Sequence, residues 1–114
     1  NKNTLIIDCY NANPTSMSLA LESFNLIEHP KKIAIIGDML ELGPDGKEEH
    51  KKVIDFCVNN EIPFFTIGSL FRSINEAGFI NTSEVEEILS NLEDCLILLK
   101  GSRGIRLEKL IPVL

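Results

Sequence analysis

Apolar residues along this chain gather in short runs, separated by longer stretches in which they recur at helical spacing. Leu5-Ile6-Ile7 and Ile33-Ala34-Ile35-Ile36 are continuous and rich in β-branched side chains, the pattern of strands covered on both faces of a parallel sheet. Phe64-Phe65-Thr66-Ile67 and Leu96-Ile97-Leu98-Leu99 repeat it. After the first run, Met17, Ala20, Leu21, Phe24 and Ile27 mark one face of a helix over residues 14–27, with Asn13 placed as N-cap and Pro14 as the first helical residue. Val53, Ile54, Cys57 and Val58 predict a second helix over 46–60. Shorter helices are expected at 69–77 and 83–92. The latter opens with Ser83 and an acidic Glu86 after it, a capping-box pattern. A last helix is expected at 105–113, ended or kinked near Pro112. Residues 77–82 leave room for one extra short strand, against which Gly78 argues.

Strand and helix in alternation imply parallel strands joined by right-handed crossovers. The fold class expected is therefore α/β: a three-layer, Rossmann-like, open and mostly parallel sheet with helices on both faces, formed by one domain over 1–114. In such sheets ligands sit beyond the carboxyl ends of the strands, so the loops leaving those ends are where chemistry is to be sought.

Composition narrows the choice of partners. A net charge of −6, with 11 basic residues scattered rather than striped, does not suit nucleic acid. The apolar runs are far shorter than the ~20 residues of a membrane span, and no basic-then-apolar signal pattern opens the chain. These features predict a cytoplasmic protein without a membrane partner. Cys9, Cys57 and Cys95 are odd in number and sit in apolar segments, as reduced, mostly structural thiols do.

Three of the strand-end loops carry dense chemistry. The first, Asp8-Cys9-Tyr10-Asn11-Ala12-Asn13-Pro14, combines a carboxylate, an aromatic ring and two amides. Asp8 at a strand end can accept hydrogen bonds from ribose hydroxyls, Tyr10 can lie against a base, and Asn11 or Asn13 can supply donors and acceptors. A plainer reading also fits: Asn13 caps the helix, Asp8 favours its positive end and Tyr10 is a rim residue. The second loop, Gly37-Asp38-Met39-Leu40-Glu41-Leu42-Gly43-Pro44, is apolar but holds Asp38 and Glu41, with His50 on the following helix able to reach back. No second histidine or cysteine accompanies His50, so it does not announce a metal site. The third, Lys100-Gly101-Ser102-Arg103-Gly104, joins glycines, a hydroxyl and two cations ahead of a helix, a setting in which an anion can be held. It is neither a Walker loop nor a Gly-x-Gly-x-x-Gly fingerprint.

Taken in this order on successive strands, the loops resemble those of the C-terminal domain of the Mur ligases, and within that family the branch that adds D-alanyl-D-alanine. The resemblance rests on Tyr10-Asn11-Ala12-Asn13-Pro14-Thr15-Ser16-Met17, on Gly37-Asp38-Met39-Leu40-Glu41-Leu42-Gly43 and on Lys100-Gly101-Ser102-Arg103-Gly104, and it covers nearly the whole chain. His50 falls where the family places a histidine. One departure stands out: the family reads Asp-Asp-Ser before the tyrosine, where this chain has Ile7-Asp8-Cys9.

The resemblance implies an ATP-dependent amide-bond-forming ligase of peptidoglycan precursor synthesis, built of three domains. An amino-terminal domain would hold the uridine nucleotide and a central domain would carry the Walker loop and magnesium ligands; this chain would close over both. It implies ATP ribose and base contacts at Asp8, Tyr10, Asn11 and Asn13. It further implies a D-alanyl-D-alanine pocket near Asp38, Glu41, His50, Lys100, Ser102 and Arg103. There Arg103 or Lys100 would pair with the dipeptide carboxylate, and Asp38 or Glu41 would face its ammonium. The acceptor would be UDP-N-acetylmuramoyl-tripeptide, and the isolated chain would be inactive. Two other readings stay open at this level: a free-standing Rossmann-like nucleotide- or partner-binding module without catalysis, and a receiver-like domain in which Asp38 and Lys100 play the signalling aspartate and lysine. The second leaves Tyr10-Asn11-Ala12-Asn13-Pro14 unexplained.

Overall fold

A computed structural model of the chain describes residues 2–114. The four predicted strands form as β1 (Thr4–Asp8), β2 (Lys32–Gly37), β3 (Phe64–Ile67) and β4 (Leu96–Lys100), in the spatial order β1-β4-β2-β3 and all parallel. The centre of the sheet falls to β2 and β4 because their side chains are apolar on both sides. Ala34, Ile36, Leu96 and Leu98 point into one core; Ile35, Ile97 and Leu99 point into the other. That is the two-residue alternation of a strand feeding two buried layers.

The first layer is α1 (Pro14–Leu26) with α2 (Gly46–Asn59) and the short α3 (Ser69–Arg72), which contribute Met17, Leu21, Phe24, Val53, Cys57 and Phe71. The second is α4 (Glu86–Leu89) with the 3-10 segment Leu107–Val113, contributing Leu89, Leu107 and Leu110. At the head of α1 Asn13 accepts from Ser16 N–H at 2.9 Å while the Ser16 hydroxyl accepts from Asn13 N–H at 3.1 Å, and Pro14 occupies the first turn. This reciprocal cap fixes where the first loop ends.

Several expectations are corrected. The continuous apolar run of β1 does not mark a covered strand: β1 is an edge, paired only with β4, and Ile6 and Ile7 are 37% and 50% exposed. The helix expected at 69–77 stops at Arg72, because the chain turns back to dock Phe79, which donates to Thr66 O at 2.9 Å and accepts from Gly68 N–H at 2.7 Å. The extra strand at 77–82 thereby shrinks to one bridge between Ile67 and Phe79. Asn81, not Ser83, supplies the cap near the fourth helix: its side chain accepts from Glu84 N–H, and the Ser83 hydroxyl bonds to Asn81 instead. The final helix is 3-10 rather than α, interrupted where Arg106 adopts φ 59°.

The connection after β1 runs to the α1 face of the sheet, whereas the segment after β4 packs Leu107 and Leu110 on the opposite face. Neighbouring strands whose exits diverge in this way leave a crevice at their carboxyl ends. The first and third chemical loops meet there.

Candidate functional site

Asp8 and Lys100 are register partners at the ends of β1 and β4, so their side chains leave the same face of the sheet. The Lys100 ammonium, on a side chain 1% exposed, donates to Asp8 Oδ2 and, at 3.2 Å, to the carbonyl of Asn11. Asp8 is the accessible member of the pair, its side chain 48% exposed. Its second oxygen, Oδ1, accepts no hydrogen bond from the described residues. Lys100 therefore does not face the crevice; it lies beneath the first loop and ties it to β4.

Ser102 joins all three loops. Its hydroxyl accepts from Leu40 N–H at 2.9 Å and donates to Ala12 O at 3.4 Å, and its own N–H reaches Asp38 O at 3.0 Å. The loops can approach this closely because Gly37 and Gly101 meet back to back. A Cβ on Gly101 would lie 2.8 Å from the Gly37 Cα, nearer than real side chains come.

Asp38 is 1% exposed, and its carboxylate accepts from Leu70 N–H at 2.8 Å and Phe71 N–H at 2.9 Å. Gly68 makes this possible, since a Cβ there would collide with that carboxylate. His50, fully buried, accepts from Met39 N–H at 3.0 Å through Nε2. Nε2 therefore carries no proton, and the Nδ1 proton goes to Gly46 O at 2.5 Å. Although Asp38 Oδ1 lies 3.9 Å from Nε2, the two do not form an ion pair, because the imidazole is neutral in this arrangement. Asp38 and His50 thus set the shape of the second loop from below and offer the crevice no free polar atom.

At the surface, Tyr10 and Arg103 meet across the crevice. The guanidinium stands 4.9 Å from the ring centroid and Nη1 donates to the phenol oxygen at 3.2 Å. The pair walls off two depressions. One, about 440 Å³, is lined by Ile7, Asp8, Cys9, Tyr10, Arg103 and Glu108. The other, about 200 Å³, is lined by Tyr10, Asn11, Leu40, Glu41, Ser102 and Arg103 among others. Glu41 reaches the second depression from a backbone held at φ 64°, left-handed and uncommon for a residue other than glycine. Cys9 is no nucleophile at neutral pH: burial, with Glu108 and Asp8 adding to it and Lys100 opposing, pushes its thiol up to about 11.

Of the residues singled out in the sequence, Asp8, Tyr10, Asn11, Glu41 and Arg103 are brought together on the crevice. Asn13 stands beside them with its side-chain oxygen committed to the helix cap. Lys100, Ser102, Asp38 and His50 lie behind it as supports. Sequence reasoning missed Gly68 and the backbone groups of Ala12 and Leu40. Gly68 had a readable signal, since a glycine at a strand end recurs at Gly37, Gly68 and Gly101. Among the described residues no group of three or more His, Cys, Asp or Glu side chains is placed to hold a metal ion, and no helix is long and apolar enough to cross a membrane.

Comparison with known proteins places this arrangement in context. A family model described as "Mur ligase, glutamate ligase domain" matches residues 1–103. The UDP-N-acetylmuramoyl-tripeptide--D-alanyl-D-alanine ligase of Rickettsia prowazekii is 32% identical over 94% of this chain and 26% of its own length. The crystal structure of MurF from Acinetobacter baumannii superposes with a TM-score of 0.78 at 29% identity, over 96% of this chain and 27% of that one. MurF ligase from Thermotoga maritima, crystallised in complex with ADP, shares the fold, with a TM-score of 0.80 at 22% identity over 99% of this chain and 28% of that one. The chain spans about a quarter of the length of the curated relatives it matches.

Proposed function

The chain belongs to the Mur ligase family, as its C-terminal domain, and we propose that it serves the ATP-dependent ligase that joins D-alanyl-D-alanine to UDP-N-acetylmuramoyl-tripeptide in the cytoplasm. The observation that carries the reading is the convergence of Asp8 and Tyr10 from β1 with Arg103 from β4 at one crevice, with Glu41 at its far wall. In this reading the chain works with an amino-terminal domain for the uridine nucleotide and a central ATPase domain, and alone it turns nothing over.

On the Asp8 side, the free Oδ1 accepts a ribose hydroxyl, and the exposed Tyr10 ring offers a flat face to the base, with Asn11 and Asn13 beside it. The ADP-bound ligase of Thermotoga maritima has the same fold, which makes a nucleotide a natural occupant to test here. On the Glu41 side, Arg103 can grip the dipeptide carboxylate while Glu41 faces its ammonium, the two charges matching a zwitterion. The reaction then needs the tripeptide carboxylate activated as an acyl phosphate. The dipeptide amine, once deprotonated, attacks that carbonyl, a C–N bond forms and inorganic phosphate leaves. Magnesium supplies phosphate charge neutralisation in such chemistry. In this reading its ligands belong to the central domain, as the family resemblance implies.

The test is phosphate release by the complete polypeptide with ATP, magnesium, UDP-N-acetylmuramoyl-tripeptide and D-alanyl-D-alanine. Release that depends on the dipeptide is expected. Release indifferent to it, or equal turnover by residues 1–114 alone, overturns the reading.

A further inference from the structure

Lys100 is the one charged residue of β4, at the end of the run Leu96-Ile97-Leu98-Leu99, and it is as buried as the leucines before it. Packing alone does not call for a lysine there. A buried ion pair generally stabilises a fold no better than apolar side chains of the same volume. What the ammonium adds is geometry. It holds Asp8 Oδ2 and the Asn11 carbonyl at once, so it fixes both ends of the turn that presents Tyr10. It also divides the Asp8 carboxylate, binding one oxygen internally and leaving the other without a hydrogen bond from the described residues.

We propose that Lys100 is a positioning residue of the nucleotide site: it does not touch substrate but orients Asp8 Oδ1 and the backbone through Asn11 for the ribose and base. The inference rests on the reading of the crevice as a nucleotide site and assigns the lysine to ATP rather than to the dipeptide.

The pair is asymmetric, and the asymmetry provides the test. Replacing Lys100 by methionine leaves Asp8 half exposed, where water solvates it, and puts an apolar chain into an apolar layer. Replacing Asp8 strands a buried ammonium. Lys100→Met in the complete ligase should therefore keep its melting temperature within a few degrees while raising KM for ATP about tenfold, with KM for D-alanyl-D-alanine changed less than about twofold. The effect should be smaller in an Asp8→Asn background, because the charged acceptor that Lys100 orients is then gone and only its hold on the Asn11 carbonyl remains. Asp8→Asn alone, which keeps an oxygen for Lys100, should show the same selective loss and covers the case in which Lys100→Met does not fold. A selective rise in the KM for dipeptide, an effect undiminished in Asp8→Asn, or unchanged kinetics in both variants overturns the proposal.

Hydrogen-deuterium exchange on the wild type and Lys100→Met separates this from failure of the functional reading. Faster exchange confined to residues 8–13 in Lys100→Met, with 38–50 unchanged, supports loop positioning even in a polypeptide that shows no ligase turnover. Equal exchange in both proteins overturns it.

Discussion

The Arg103 guanidinium stands over the Tyr10 ring and donates to its hydroxyl at 3.2 Å, linking a residue read as nucleotide-facing to one read as dipeptide-facing. Both side chains are exposed, so the contact is worth only about 0.5–1 kcal/mol, enough to bias orientation without locking it. It gives the two halves of the crevice a common wall. On the proposed reading, the phenol oxygen helps hold the guanidinium in the orientation that meets the dipeptide carboxylate.

Arg103→Ala should therefore act mainly on the dipeptide. Loss of a charge-assisted pair costs roughly 1.5–3 kcal/mol, or about ten- to a hundredfold in KM for D-alanyl-D-alanine. Tyr10→Phe keeps the ring and removes only the acceptor, so it should raise the same KM by less than about fivefold while leaving ATP nearly unaffected. Steady-state kinetics with each substrate varied in turn check this. Equal penalties on both substrates for Arg103→Ala would mean that the arginine governs domain closure instead.

Ser102→Ala tests the joint between loops. The substitution removes the acceptor of Leu40 N–H and the donor to Ala12 O in a buried place, leaving at least one backbone group unpaired. A loss of about 1–3 kcal/mol in unfolding free energy is expected, measurable as a lower denaturant midpoint with unchanged slope. Gly101→Ala should cost more, since the added methyl meets the backbone of Gly37 rather than a movable side chain. If Ser102→Ala is neutral, the loops are held by their backbone contacts alone.

How much of this was legible in the sequence follows from what each signal depends on. The strands and the two long helices were, because periodicity and the Asn13-Pro14 start reflect local chemistry. That β1 would be an edge was not, because strand order depends on where the chain returns, and β-branched runs look alike in the centre and at the rim. The crevice was legible as loops following strands. The division between Lys100, which supports, and Arg103, which faces outward, was hidden because the two cations sit three positions apart and only the register with Asp8 separates them. Asp38 and His50 looked like ligands for a related reason. A carboxylate at a strand end can serve a substrate or the backbone N–H groups of Leu70 and Phe71, and the sequence holds both possibilities.

Cys57 gives a pH prediction. It is fully buried against the α1 face of the sheet, and desolvation pushes its thiol up to about 12 from an ordinary 9.0. Below 9.0 the thiol is protonated folded and unfolded, so it contributes no pH dependence. Between 9.0 and about 12 the unfolded thiol ionises while the buried one stays protonated, so stability falls as pH rises through that window. The loss should reach ~1–3 kcal/mol by about pH 11. Because alkaline pH acts on the whole protein, the measurement is a comparison: melts of the wild type and Cys57→Ala from about pH 8 to about pH 11, in which the alanine variant should show the shallower decline. Parallel declines would show that the thiol ionises freely in the folded state.

Asp8 carries the last prediction, because its two oxygens face different partners. Oδ2 neutralises the buried Lys100, and Oδ1, which accepts no hydrogen bond from the described residues, is the proposed acceptor for the ATP ribose. Asp8→Ala in the complete ligase should weaken ATP use by about one to two orders of magnitude, as expected for hydrogen bonds to a charged acceptor worth roughly 1.5–3 kcal/mol. It should also lower the melting temperature, because the Lys100 ammonium is left without its counter-charge. The stability loss is expected below the ~3–5 kcal/mol of a fully enclosed pair, since the half-exposed site of the missing carboxylate admits water. Stability loss alone would penalise every nucleotide alike, so the discriminating substrate is 2′-deoxy-ATP, which lacks one of the proposed donors. If Oδ1 reads the 2′-hydroxyl, Asp8→Ala harms ATP more than it harms 2′-deoxy-ATP, whereas Lys100→Met/Asp8→Ala recovers the melting temperature without recovering ATP use. Equal penalties for the two nucleotides, with ATP use restored by the double substitution, would mean that Asp8 serves only to neutralise Lys100 and that the ribose is held elsewhere.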